Sequence, residues 1–305
     1  MHTDGRSVTL PSAMDYRDYQ AALRTVRTPH GEFAYIDVGE GPVALFVHGL
    51  FVSAYIWRQV IAELRDERRC IAYNLPQHGG SRVADDADLS LAANAEMLAS
   101  FCAALGLDQV ELVANDTGGA VSQALAVRRP DLVRTLTLTN CEARDVLPSS
   151  DPLAQMVAQL AEQGQLAPAL KAGYDDREAA RRGPLAAPYQ WPERFSDDDL
   201  RGIMEPHQAS VEAARELERF MASLDSDQLV ALEPGLRDLQ IPTLCAWGTG
   251  DTLFPLELAH WLRDTIPGCR EVVEIDGGRL FWPFERGAEL VPHLRRLWAL
   301  DRQPA

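Results

Sequence analysis

The chain has 305 residues, a formal net charge of −16 and 46% hydrophobic residues. That length suits one large core carrying an insertion, or two small domains. The acidic balance repels phosphate backbones and argues against nucleic-acid binding, and with no apolar run of 18 residues no transmembrane helix is expected. The start, MHTDGRSVTLPSAMDYRDYQ, is polar and acidic and lacks the apolar core of a signal peptide. Five scattered cysteines, Cys70, Cys102, Cys141, Cys245 and Cys269, read as reduced, buried thiols. A cytoplasmic protein is expected.

In chain order, Gly31 to Gly39 (GEFAYIDVG) alternates and then meets the turn EGP, which predicts a strand and a hairpin connection. Val43 to Gly49 (VALFVHG) is a short continuous apolar run, as expected of a strand buried on both faces. Ser53 to Leu64 has helical spacing, with Ser53 as its cap. Arg69 to Leu75 predicts another buried strand, and LSLAANAEMLASFCAALGL a helix stopped by Gly106. QVELVAN reads as a strand, GGAVSQALAVRR as a helix closed by Pro130, and LVRTLTLTN as a strand. Strands and helices thus alternate from Val43 to Asn140. This is the pattern of a parallel sheet covered on both faces, with its ligand site beyond the carboxyl ends of the strands. The turns HGLF and NDTGG both fall there.

From about Cys141 to Leu239 the buried-strand signal stops, and the sequence reads as short helices. Alternation resumes with IPTLCAWGTGD (Ile241 to Asp251), the helix LELAHWLRDTI, the strand CREVVEI and the helix AELVPHLRRLWAL. The expected organisation is a core over 1–140 and 240–305, interrupted by a helical lid over 141–239 that covers the site.

The stretch VANDTGGA, Val113 to Ala120, makes a tight strand-to-helix turn with Asp116 near its centre. A carboxylate there meets backbone N–H groups that favour its charge, and it can attack an electrophilic carbon to form an ester. A plain helix cap is the alternative. Taken in order, LFVHGLFVSAYIWRQVI, LPQHGGS, LVANDTGGA, LCAWGTGDTLFP and EIDGGRLFWPFERGAEL resemble the α/β-hydrolase fold. The resemblance implies a mostly parallel central sheet with helices on both faces and an inserted helical lid. It covers nearly the whole chain beyond about Thr25. It is closest to the branch with an aspartate nucleophile, the haloalkane dehalogenases and epoxide hydrolases.

That resemblance implies that Asp116 is the nucleophile and that the backbone N–H groups of Leu50 and Thr117 form an oxyanion hole. It implies that Asp251 is the acid that orients a catalytic histidine, and that His48 and His78 are structural. Glu142 is a weaker acid candidate, because Asn140 sits nearer the family's alternative acid position. Phe51, Asn115, Glu142, Tyr189, Trp191, Phe254, Leu280 and Phe281 are expected around the substrate, and Trp282 is a further candidate for the pocket wall. No metal cluster, phosphate loop or nicotinamide fingerprint is present in the sequence, so no cofactor is expected. The expected partner is a hydrophobic small molecule, with neither nucleic acid nor membrane.

The family's catalytic histidine is missing. Aligned without a gap, EIDGGRLFWPFERGAEL puts Leu280 at its position, and a shift of one gives Arg279. Neither is a neutral base. His207, in the insertion, reads as a surface lid residue. The two halide-holding positions of dehalogenases carry Thr117 and Leu50. Tyr174 and Tyr189 are the candidates for the lid tyrosines of an epoxide hydrolase, with packing as their default reading. With no imidazole between them, Asp116 and Asp251 are expected to face each other as two carboxyls sharing a proton. Such an acid–base pair suits elimination, isomerisation or cyclisation. The preferred reading is therefore a non-hydrolytic enzyme (lyase-, isomerase- or cyclase-like) with Asp116 as general acid or base. The alternatives are a hydrolase with Asp116 as nucleophile and an unrecognised base, and a non-catalytic small-molecule binder.

Overall fold

The computed structural model describes residues 14–300. Residues 1–13, part of the stretch read as lacking a signal-peptide core, lie outside the described residues. Nine strands form one sheet: β1 Leu23–Thr28, β2 Gly31–Val38, β3 Val43–Val47, β4 Arg69–Tyr73, β5 Arg82–Val83, β6 Val110–Asn115, β7 Val133–Thr139, β8 Thr243–Gly248 and β9 Cys269–Ile275. Their order is β1-β2-β4-β3-β6-β7-β8-β9, with β5 pairing β2. From β4 to β9 every pair along this path is parallel, while β1, β2 and β5 join antiparallel.

The strand runs explain the order. Leu45, Phe46 and Val47 of β3, and Leu112, Val113 and Ala114 of β6, are wholly buried. Burying each large aliphatic or aromatic side chain contributes roughly 1.5–3 kcal/mol, so these strands occupy the middle of the sheet with helices on both faces. Strand β1 was not foreseen. Its sequence LRTVRT holds two apolar residues in six, and it lies at the sheet edge with no fully buried side chain.

The helices are α1 Tyr16–Ala22, α2 Arg58–Leu64, α3 Leu91–Ala104 and α4 Thr117–Arg128, then α5 Pro152–Glu162, α6 Leu166–Asp175, α7 Arg177–Arg182, α8 Asp197–Gln208, α9 Val211–Ala222, α10 Ser226–Val230 and α11 Glu233–Asp238 between β7 and β8. Helices α12 Leu256–Thr265, α13 Trp282–Arg286 and α14 Val291–Leu300 complete the chain. Caps set the boundaries: Ser90 starts α3, Asp151 with Pro152 starts α5, and Ser196 and Asp199 form a capping box on α8. Ser53 does cap, but it opens a 3-10 turn, Ala54–Trp57, before α2. All five cysteines are buried and free. Among the described residues, no helix is long and apolar enough to cross a membrane.

Candidate active site

Strand β6 ends at Asn115 and helix α4 begins at Thr117, so Asp116 alone turns the chain. It does so at φ 54° and ψ −138°, a conformation that costs a non-glycine residue of order 1–3 kcal/mol. The surroundings hold it: the Asp116 N–H donates to the Asn140 carbonyl at 2.8 Å, and its own carbonyl accepts from Gly119 N–H at 2.6 Å. Opposite lies the turn after β3, where Phe51 is also left-handed at φ 61°. The Leu50 N–H donates to Asp116 Oδ2 at 2.8 Å, and the Thr117 N–H supports the same carboxylate. The two backbone donors expected as an oxyanion hole therefore both act on the aspartate's own carboxylate. Gly49 makes room for it, because a Cβ there would sit 2.1 Å from Asp116 Oδ2.

Asp116 opens into a cavity of about 360 Å3 between the strand ends and the helices that follow β7. The walls are mostly aliphatic and aromatic: Leu50, Phe51, Phe254, Leu280 and Phe281 from the core, and Leu153, Val157, Leu160, Leu166, Leu170 and Met204 from α5, α6 and α8. Glu142 also lines it. Burial first, and the Glu142 charge next, push the Asp116 carboxyl well above its usual range, against the pull of the Leu50 and Thr117 N–H donors. Burial also pushes Glu142 up to about 7, against the pull of the Thr117 hydroxyl. That hydroxyl donates to Glu142 Oε1 at 2.6 Å, while Glu142 Oε2 is buried with no hydrogen-bond partner. Two such carboxyls carry fewer than two charges at neutral pH, and their titrations belong to the pair.

Asp251, expected to face Asp116, does raise that residue's carboxyl by its charge, though less than Glu142 does. Asp251 does not line the main cavity. It borders a separate small polar one with Asp151, Thr252 and Arg279. Its Oδ2 accepts from Asn140 Nδ2 at 2.8 Å and its Oδ1 from Leu253 N–H at 2.9 Å. Burial pushes it up to about 7. Leu280 lines the main cavity, and Asn115 Nδ2 holds its carbonyl at 2.9 Å. The cavity carboxyl nearest in charge to Asp116 is Glu142.

Other expected site residues divide. Phe51, Glu142, Tyr189, Phe254, Leu280 and Phe281 line the cavity. Asn115 does not; it sits beneath, tying β6 to Leu280 and to Thr139. Trp191 does not line it either, and its indole lies beside Arg194 and Arg286. Trp282 is buried below, its indole N–H donating to Asn140 Oδ1 at 3.0 Å. Of the two tyrosines, Tyr189 reaches the cavity, whereas Tyr174 lies outside it and donates to Glu205 at 3.0 Å.

Histidine His207 is not a surface residue. It is wholly buried in α8, its ring tilted against His78 at a centroid distance of 5.2 Å, with His78 tilted against His48 in turn at 5.3 Å. None of the three lines the cavity. His48 accepts from Leu75 N–H and its other ring nitrogen lies 2.6 Å from the Gly49 carbonyl, which fixes the turn below Leu50. Burial pushes His78 to about 4 and His207 to about 3, so all three are neutral at pH 7. Among the described residues, no group of histidine, cysteine and carboxylate ligands is placed to hold a metal ion.

Sequence reasoning undervalued Glu142 and missed its bond to Thr117. A usable signal was the second glycine of NDTGGA. A Cβ on Gly119 would sit 2.4 Å from the Cys141 Cβ, so glycine lets the chain after β7 close on the start of α4. That contact delivers the neighbouring Glu142 to the elbow.

A family model described as the alpha/beta hydrolase fold matches residues 42–285. The chain belongs to the α/β-hydrolase fold family. Haloalkane dehalogenase 2 of Mycobacterium bovis is 33% identical over 122 residues, 40% of this chain and 43% of that protein. This chain thus matches less than half the length of that relative. A pimeloyl-(acyl-carrier protein) methyl ester esterase of Aeromonas hydrophila is 27% identical over 252 residues, covering 77% of this chain and 87% of the esterase. A solved haloalkane dehalogenase from Bradyrhizobium elkani superposes with a TM-score of 0.74 at 22% identity, covering 91% of this chain and 99% of the other. At that identity the likeness speaks for the shared fold. Members of this α/β-hydrolase family such as the haloalkane dehalogenases are enzymes.

Proposed function

We propose that this chain is an α/β-hydrolase-fold enzyme that acts on a hydrophobic small molecule through Asp116, whose carboxylate attacks an electrophilic carbon. The observation that carries the reading is the seat of Asp116 Oδ2 on the Leu50 N–H at 2.8 Å. A general acid or base needs its backbone donors free for an oxyanion that develops on the substrate. Here the Leu50 N–H holds the aspartate's own Oδ2, which becomes the carbonyl oxygen of an aspartyl ester and the oxyanion when water attacks that ester. The largely apolar cavity supports a hydrophobic substrate.

A second reading keeps Asp116 as a general acid or base in a lyase-, isomerase- or cyclase-like reaction. Leu280 favours it, because an apolar wall stands where the family's imidazole belongs and keeps water away. Turnover of 1,2-epoxyhexane in heavy-oxygen water, followed by peptide mass analysis, tests the two. Label in the Asp116 carboxyl is the expected outcome. Turnover that leaves Asp116 unlabelled sinks the covalent reading in favour of proton transfer. Asp116→Asn is expected to lower kcat at least thousandfold with the fold retained, and a fully active variant sinks both.

A further inference from the structure

Resting on that covalent reading, we propose that Glu142 is the catalytic acid and base that stands in for the absent histidine, first protonating the leaving oxygen and then activating the hydrolytic water. Three features place it there. It lines the same cavity as Asp116. Its Oε1 is fixed by the hydroxyl of Thr117, the residue next to the nucleophile, at 2.6 Å, and its backbone carbonyl by Gln123 Nε2 at 2.8 Å. Its Oε2 is wholly buried and makes no hydrogen bond, an acceptor or donor position left open. A buried oxygen with no partner in a fixed side chain is what a reacting water or a leaving oxygen would complete.

The proton balance closes on the pair. The pair shares one proton, and the form that reacts carries it on Glu142, with Asp116 ionised in its N–H cradle. Asp116 attacks carbon and the carbon–oxygen bond of a strained ether breaks. The leaving oxygen takes the Glu142 proton, giving an aspartyl ester, a hydroxyl group and an ionised Glu142. Esterification removes the neighbouring negative charge, so Glu142 stays ionised more readily at the moment a base is needed. Glu142 then takes a proton from water as the oxygen adds to the Asp116 carbonyl carbon, whose oxyanion meets the Leu50 and Thr117 N–H groups. Collapse expels the product alkoxide, which takes the proton of the newly formed Asp116 acid. Asp116 is again ionised and Glu142 again protonated, with one water consumed.

The chain's departures from dehalogenases agree with this chemistry. A halide leaves without a proton and is only assisted by N–H donors, whereas a leaving oxygen needs an acid. Position 117 supplies a hydroxyl that serves Glu142 rather than a halide donor. Besides burial, the Thr117 hydroxyl and the Glu142 backbone lower the Glu142 carboxyl and the Asp251 charge raises it, while the Glu142 charge in turn raises Asp116 and the Cys141 thiol.

The test uses the full chain with two probes. 1-Bromohexane forms an aspartyl ester without needing an acid, and 1,2-epoxyhexane needs one. With Glu142→Gln, 1-bromohexane is expected to leave one alkyl group per chain on Asp116, seen by denaturing mass spectrometry, with release slowed at least a hundredfold. The same variant is expected to slow ester formation from the epoxide. Wild type should accumulate neither adduct. Glu142→Gln that releases product at the wild-type rate overturns the role of Glu142 and leaves Asp116 standing. Absence of any Asp116 adduct from both probes in both proteins overturns the covalent reading and this proposal with it. Thr117→Val guards against a variant that fails to fold. It removes the hydroxyl that steadies the Glu142 anion, so the pH at which ester release reaches half its plateau should move up by about one unit. An unmoved profile in a folded Thr117→Val protein counts against Glu142 as the base.

Discussion

The floor and the roof of the cavity are held by different forces. The floor, at the strand ends, is a mesh of short hydrogen bonds: Leu50 to Asp116, Asp116 to Asn140, Asn140 to Asp251 and Gly248, Asn115 to Leu280, and Thr117 to Glu142. The roof, from α5, α6 and α8, presents Leu153, Val157, Leu160, Leu170 and Met204 to the same space. A hydrogen bond is lost when a partner shifts by about an ångström, whereas apolar side chains repack around a change in volume. The floor should therefore answer substitution in an all-or-none way and the roof by degrees. On the proposed function, chemistry belongs to the first region and substrate choice to the second.

Gly49→Ala is the sharpest way to break that contrast. Its Cβ would meet Asp116 Oδ2 at 2.1 Å and the Asp116 Cβ at 2.2 Å. The carboxylate would have to leave its cradle or the turn after β3 would have to move. An activity loss of at least a thousandfold and a destabilisation of about 3 kcal/mol are expected, read from turnover and urea unfolding. Activity within tenfold of wild type would mean that the floor adjusts as the roof does.

The two regions should also respond to pH with opposite signs. Glu142 and Asp251 are both raised to about 7, from 4.5 and 3.8. Between those ordinary values and pH 7 the folded chain holds protons that the unfolded chain has released, so the stability these groups contribute falls as pH rises through that window. Glu142→Gln should remove its share, on the order of 2 kcal/mol in favour of the variant at pH 8 relative to pH 4.5. His207, on α8 above the floor, is lowered from 6.5 to about 3. The unfolded chain then takes up the proton first, so its stability contribution is present above about pH 6.5 and is lost as pH falls toward 3. His207→Leu should flatten the acid limb and leave the alkaline limb alone. Parallel wild-type and variant curves in thermal melts from pH 4 to 9 would show that neither buried group titrates with unfolding.

How far the sequence reached follows the same division. The central strands β3, β4, β6, β7 and β8 were legible because continuous apolar runs between turn residues admit few other structures. The elbow at Asp116 was legible because a strand, a short polar turn and two glycines force one geometry. Strand β1 was not, since an edge strand keeps half its surface wet and shows little apolar signal. Within the site, the place of Glu142 in the cavity and of Asp251 outside it was not legible, for one reason. Which carboxyl meets Asp116 depends on where Leu280 points and on how closely Cys141 packs against Gly119, and both are tertiary facts about residues more than twenty positions away. His207 failed differently: a histidine in a polar helix, DDDLRGIMEPHQ, reads as exposed, yet it falls on the inner face with Leu200, Ile203 and Met204.

Roof substitutions should give smaller, graded effects. Val157 is buried on α5 and lines the cavity, so Val157→Phe places about four extra carbons in that space. Overpacking of this kind costs about 1–3 kcal/mol if nothing moves, but α5 buries only Val157 fully, so the helix can shift outward. KM for a hexyl probe should rise about tenfold and that for a two-carbon probe less than twofold, with the maximal rate for each nearly kept. A matching loss for both probes would show that the roof is as rigid as the floor.

Trp191→Ala should have the smallest effect of all, although a tryptophan just before the roof's capping box looks like a substrate contact in the sequence. Its ring lies over Arg194 at 4.8 Å and near Arg286 at 5.9 Å, away from the cavity. Exposed cation–π pairs of this kind contribute about 0.5–1 kcal/mol. The Trp191 N–H is held by Glu285 Oε1 at 2.6 Å through the backbone, and alanine keeps that bond. The segment from Pro188 to Trp191 should therefore stay docked, with Phe281 N–H still bonded to the Pro188 carbonyl and Tyr189 still facing the cavity. Stability should fall by about 1 kcal/mol and KM should stay within twofold. A larger change in KM at unchanged stability would put Trp191 in contact with substrate and move the boundary of the roof outward to include it.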